Sequence, residues 1–153
     1  MGYPGIFPTG TTVYNKDKAW NGYTVFPTKK GALLIDMNGN EVKLWAGLEG
    51  FPNKILPGGY VLGSTGSIKS KYSYQDEKDL VQVDWNGNIV WKFDKTEFYA
   101  DPGQEPQYFA RQHHDYQREG STVGYYYPGG EPKTDSGNTL ILTHENLYNH
   151  DIS

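Results

Sequence analysis

"ALLIDMNGNEVKLW" (residues 32–45) and "LVQVDWNGNIVWKF" (residues 80–93) are two copies of one pattern. They align without a gap, placing Asp36 on Asp84, Asn38-Gly39-Asn40 on Asn86-Gly87-Asn88 and Val42 on Val90. The offset from Asp36 to Asp84 is 48 residues. In each copy an Asn-Gly pair separates two apolar runs, and its access to positive φ suits a tight hairpin turn. Val, Ile, Leu and Trp fill the flanks, as half-buried antiparallel strands require. Asp36 and Asp84 precede the turn at equivalent places, where an aspartate hydrogen-bonds turn amides. Repetition at a turn marks them as architecture, not as catalytic groups.

Outward from these hairpins the chain continues in strands. "NKILPGGYVLGST" (53–65) reads strand, Pro-Gly-Gly turn, strand. Its counterpart begins at "HDYQRE" (114–119) and resumes at "SGNTLILTH" (136–144), with 120–135 inserted between. Four short strands in about 45–50 residues is the arithmetic of a β-propeller blade. The expected fold class is therefore all-β, built from antiparallel four-stranded blades. The repeat units span about 22–65 and 79–145 of a single domain covering 1–153, with leading strands around "NGYTVFPT" (21–28). Pro and acidic residues interrupt any strand pattern over 96–112, where a few helical turns are expected. Propellers close with four to eight blades. Two to three are legible here, so the sequence reads as the first part of a longer propeller.

Composition narrows the function classes. Hydrophobic residues are only 36% of the chain, but aromatics are 15%, with 13 Tyr and 4 Trp, so large rings supply the core. The net charge of −4 and the lack of a basic cluster argue against a nucleic-acid partner. The absence of cysteine excludes disulfides, iron–sulfur ligation and thiolate zinc sites. No apolar run reaches the roughly 18 residues of a membrane span, so no membrane partner is expected. The start "MGYPGIFPTG" has no basic n-region or apolar h-region, which makes the cytoplasm the default compartment.

The chemistry concentrates in "RQHHDYQREG" (111–120), which holds two of the four histidines side by side. If this segment is an extended strand, His113 and His114 point to opposite faces. Arg111 and Arg118 suit an anionic oxygen cluster by chemistry, or else form solvated ion pairs with Asp115 or Glu119. Tyr125-Tyr126-Tyr127 in the insertion reads either as an aromatic flap over a planar substrate or as a strand packed on a blade face. All four histidines (His113, His114, His144 and His150) lie beyond residue 112 with carboxylates nearby. None has the helical i, i+4 spacing of a zinc site, so no metal and no cofactor is expected. "GSTGS" (63–67) precedes no helix pattern and carries no anion-site argument.

The stretches "NGYTVFPTKKGALLIDMNGNEVKLW", "GFPNKILPGGYVLGSTG", "LVQVDWNGNIVWKFD", "RQHHDYQREG" and "GNTLILTHEN" together resemble the N-terminal part of the bacterial arylsulfotransferases (aryl-sulfate sulfotransferases). The resemblance runs from about residue 10 to the C-terminus. It implies a six-bladed propeller that moves a sulfuryl group from a phenolic sulfate ester to a phenol through a sulfated histidine. The family's first site histidine stands in a His-Asp pair before a strand–turn–strand. His114-Asp115 matches that placement, which makes His114 the catalytic candidate. His113, Arg118 and Tyr126 are the substrate-binding candidates beside it. By the same resemblance His113 packs outward or bridges to the next blade, and Asp115 orients a neighbour or satisfies backbone at the strand entry. The family's His-x-Asn pair, its further Arg and its nucleophilic His are not found in context, so this chain alone is not expected to complete the reaction.

The partners this implies are a phenolic sulfate, a phenol, and either the remainder of the propeller or a second copy of the chain. Relatives of that family are often exported. Two other classes stand beside the enzyme: a non-catalytic propeller interaction module, and a metal- or sugar-binding propeller.

Overall fold

The computed structural model describes residues 11, 13–67, 76–93, 97–100, 103, 105–109, 112–120, 133 and 136–143. These residues are all-β, with antiparallel pairing throughout. The first sheet is a meander of β1 (Thr24–Thr28), β2 (Gly31–Ile35) and β3 (Glu41–Ala46). The second is four-stranded, in the order β4 (Lys54–Leu56), β5 (Tyr60–Gly63), β7 (Val81–Val83) and β8 (Ile89–Lys92). The third has β11 (Gln112–Arg118) between β12 (Thr139–Thr143) and the short β6 (Asp76–Glu77). β9 (Glu97–Tyr99) and β10 (Gln107–Phe109) form a separate two-stranded hairpin. The helical turns expected over 96–112 are not what residues 97–99 and 107–109 form: these are a strand pair, and residues 96, 101, 102, 104, 110 and 111 lie outside the described ones. Backbone pairing there overrides a locally unfavourable composition.

Both Asn-Gly hairpins form, with one refinement of the turn. Only the glycines, Gly39 (φ 83°) and Gly87 (φ 96°), take the left-handed conformation; the asparagines before them do not. The Gly39 amide donates to the Asp36 carbonyl at 3.0 Å, and the Gly87 amide to the Asp84 carbonyl at 3.1 Å. The Asp36 carboxylate accepts from the Asn38 and Asn40 amides at 2.8 and 2.9 Å and from the Asn40 side chain at 2.9 Å. Asp84 does the same with Asn88. The Asn40 and Asn88 side chains, followed by the turn amides, hold both carboxyls below their ordinary range.

The strands group in a different phase from the expected units 22–65 and 79–145. The pair β4–β5, joined by one 3-10 turn at Pro57–Gly59, belongs with the hairpin that follows it and not with the one before. β5 pairs with β7, while the outer edge of β3 has no strand partner among the described residues. All of β7 is buried.

The second sheet lies between the other two, and the strand alternation divides its side chains between them. Val61, Val81 and Val83 meet Ala32, Leu34 and Trp45 of the first sheet. Leu56, Leu62 and Leu80 meet Tyr116 of the third, with Trp91, Phe93 and Ile141 at the margin. Each such fully buried aliphatic side chain contributes about 1.5–3 kcal/mol of apolar transfer. Trp45 also locks the first interface by polarity: its Nε1–H donates to the Asp84 carbonyl at 2.8 Å, and its ring stands edge-on to Trp85 at 5.5 Å.

Candidate functional site

The site is built on an irregularity in β11. Gln112 pairs with Thr143 and Tyr116 with Ile141, so His113, His114 and Asp115 stand opposite the single residue Leu142. The excess is taken up at His114, whose φ of 61° is the one positive value among the described non-glycine residues. Such a bulge bends the strand and re-aims its side chains. The expected alternation of His113 and His114 therefore fails. Their rings lie together, with centroids 4.0 Å apart and planes tilted by 60°.

His113 is mostly buried and His114 is exposed. On the edge away from β12, His113 is the backbone partner of Asp76 on β6. This register puts the two side chains on one face, and the Asp76 carboxylate lies 3.1 Å from His113 Nδ1. Asp76 is buried, with a side chain only 3% exposed, so the contact is shielded from water. Sequence reasoning missed Asp76. Its one signal was the acid-rich run at 76–79, which reads as solvated until β6 is seen to pair with β11.

Asp115 closes the bulge from the other side. Its carboxylate accepts from the Tyr116 amide at 2.7 Å and pairs with Lys54 Nζ at 2.5 Å. Burial works to raise the Asp115 carboxyl, but the hydrogen bond from Lys54, the Tyr116 amide and the Lys54 charge outweigh it and hold it low. Of the two roles left open for Asp115, the geometry gives it the backbone one. Lys54 also donates to the Tyr116 carbonyl and sits 4.9 Å over the Tyr116 ring. The Tyr116 hydroxyl in turn reaches the carbonyls of Pro52 at 2.6 Å and Leu62 at 2.8 Å, and so pins β11 to the second sheet.

The other predicted residues fall elsewhere. Arg118 sits at the far end of β11 and is buried; its Nε donates to the Thr139 hydroxyl at 2.7 Å and its guanidinium lies 4.9 Å over Trp91. Neither of the solvated ion pairs expected for it, with Asp115 or Glu119, is its main environment. Glu119 instead closes the base of the insertion: its amide donates to the Asn138 carbonyl, and its carboxylate accepts from the Asn138 amide and Lys133, which hold that carboxyl low. Tyr126, Arg111, His144 and His150 lie outside the described residues. Among the described residues no group of three or more His, Cys, Asp or Glu is arranged to hold a metal. No described helix is long and apolar enough to cross a membrane.

What the arrangement can do follows from its parts. A buried carboxylate facing one ring nitrogen orients an imidazole and selects its tautomer. The neighbouring exposed imidazole is placed by its left-handed backbone and by the His113 ring beside it. Together they offer hydrogen bonds to an anionic group. Comparison with protein-family models, curated proteins and solved structures gives no match.

Proposed function

We propose that this chain is the N-terminal part of a β-propeller of the arylsulfotransferase kind, in which His114 serves a site that passes a sulfuryl group from a phenolic sulfate ester to a phenol. The observation that carries the reading is the paired imidazoles of His113 and His114, raised on a bulge of β11 and backed by the buried Asp76. The propeller part is supported by the four-stranded antiparallel sheet β4-β5-β7-β8, packed between two further sheets.

The chemistry asks for these groups. A departing phenol gains negative charge on its oxygen, and the sulfuryl oxygens stay charged throughout. An imidazole that gains and loses protons around neutrality meets the first need, and N–H donors meet the second. The sulfohistidine itself is assigned to a histidine outside this chain, as the family resemblance implies. The test is transfer from p-nitrophenyl sulfate to phenol by the full product of the gene encoding this chain, with and without His114→Ala. Loss of turnover in the variant is expected, and unchanged turnover removes His114 from the mechanism.

A second reading, a non-catalytic interaction module, has one observation of its own. Leu140 and Leu142 on β12 are 73% and 56% exposed and share a strand face. Capture of a partner that persists in a Leu140→Lys, Leu142→Lys double variant would count against it.

A further inference from the structure

Resting on the sulfuryl-transfer reading for what the site acts upon, we infer that Asp76 is the positioning residue of this site, fixing the proton of the His113 ring on Nδ1 and, through the ring contact, setting the orientation of His114. Three observations converge on it. The carboxylate of Asp76 is 3.1 Å from Nδ1, in a backbone register that pairs it directly with His113. The Asp76 side chain is 3% exposed and that of His113 18%, so water competes poorly for the contact. The His114 ring lies 4.0 Å from the ring that Asp76 holds, on a backbone that is itself in the left-handed region.

An ionised carboxylate only accepts hydrogen bonds, so the nitrogen facing it carries the hydrogen. In neutral His113 the lone pair is then on Nε2. A lone pair there suits a hydroxyl donor, such as the acceptor phenol, and disfavours a sulfonate oxygen. Asp76 acts on the substrate through His113. The pairing of the two-residue β6 with β11 delivers Asp76 to His113, while Glu77 beside it bridges to Ser67.

The decisive measurement is the imidazole ¹⁵N spectrum of the chain at alkaline pH, where the rings are neutral. His113 is expected to show a protonated Nδ1 and an unprotonated Nε2. Asp76→Ala loses that pattern, and the His114 ring signals shift with it. An unprotonated Nδ1 in the wild-type chain, which requires no variant to fold, overturns the inference, as does an unchanged pattern in Asp76→Ala. In the full gene product, Asp76→Ala is expected to lower turnover about 10- to 100-fold. Wild-type turnover in Asp76→Ala overturns the positioning role. If the tautomer is as stated and no sulfuryl transfer occurs, the sulfotransferase reading falls and the orientation of His113 by Asp76 stands.

Discussion

Replacing Tyr116 by Phe removes a single oxygen, and the structure says what that oxygen does. It lies 2.6 Å from the Pro52 carbonyl and 2.8 Å from the Leu62 carbonyl, in a residue 2% exposed. The ring keeps its packing against Leu56, Leu62 and Leu80, so the change is one of hydrogen bonding, not of volume. Losing the bond and stranding buried carbonyl oxygen costs about 1–2 kcal/mol at neutral pH. A second signature follows from titration. Burial, and after it the charges of Asp115 and Glu77, push the Tyr116 hydroxyl well above its ordinary value of about 10. Above pH 10 the unfolded chain loses a proton that the folded chain keeps, so the hydroxyl's contribution declines as pH rises. The decline is about 1.4 kcal/mol per pH unit. The wild type therefore leads Tyr116→Phe by about 1–2 kcal/mol at pH 8, and that lead closes near pH 11. Urea denaturation of both proteins at the two pH values measures it, with equal m-values confirming that compactness is unchanged. A lead that stays constant to pH 11, or is absent at pH 8, refutes the claim that this hydroxyl pins β11 to the second sheet.

Three further outcomes are expected. His114→Gly relieves the left-handed backbone and raises stability by about 0.5–1 kcal/mol in urea melts, while the exposed ring and its activity are lost. Trp45→Phe removes both the bond to the Asp84 carbonyl and the edge contact with Trp85, and lowers stability by about 2–4 kcal/mol in the same assay. Glu77→Gln flattens the acid side of the stability profile. Burial raises the Glu77 carboxyl above its usual 4.5, so the folded chain holds a proton there that the unfolded chain has released, and wild-type stability falls as pH rises through that window. A melting series from pH 4 upward that shows the same slope in both proteins would exclude this.

The parts of the fold legible in the sequence are those encoded within a few neighbouring residues. The turns at Asp36–Asn40 and Asp84–Asn88 are specified by an acid, an asparagine and a glycine whose bonds all close locally. The Pro-Gly-Gly connection of β4 to β5 is of the same kind. The choice of sheet partner is not local. Whether β5 joins β3 or β7, both of which have an edge to offer, depends on how the sheets pack, and composition carries no trace of that. The strand pair at 97–109 was missed for the same reason. Asp76 was invisible because its partner lies 37 residues away and because an acid-rich run resembles solvent-exposed chain until it is paired. Arg118 was read by its charge, whereas its long apolar stem and planar head find Trp91 and Thr139 in the interior.

The histidine pair is the most instructive failure, because the rule that misplaced it is sound. Side chains alternate across a strand only while the ladder advances one residue for one residue. Here three residues face one, and His114 turns into the left-handed region to absorb the difference. That conformation costs about 1–3 kcal/mol and persists only where the surroundings over-determine it. They do so at both ends. Gln112 is held by Thr143 on one side and Glu77 on the other. Tyr116 is anchored through its hydroxyl to the second sheet, and Asp115 captures its amide while Lys54 neutralises the carboxylate. The two imidazoles face one another because residues that take no part in the chemistry leave the segment between them no other conformation. Their geometry is therefore more sensitive to Tyr116, Asp115 and Lys54 than to any neighbour in the sequence that merely adds charge.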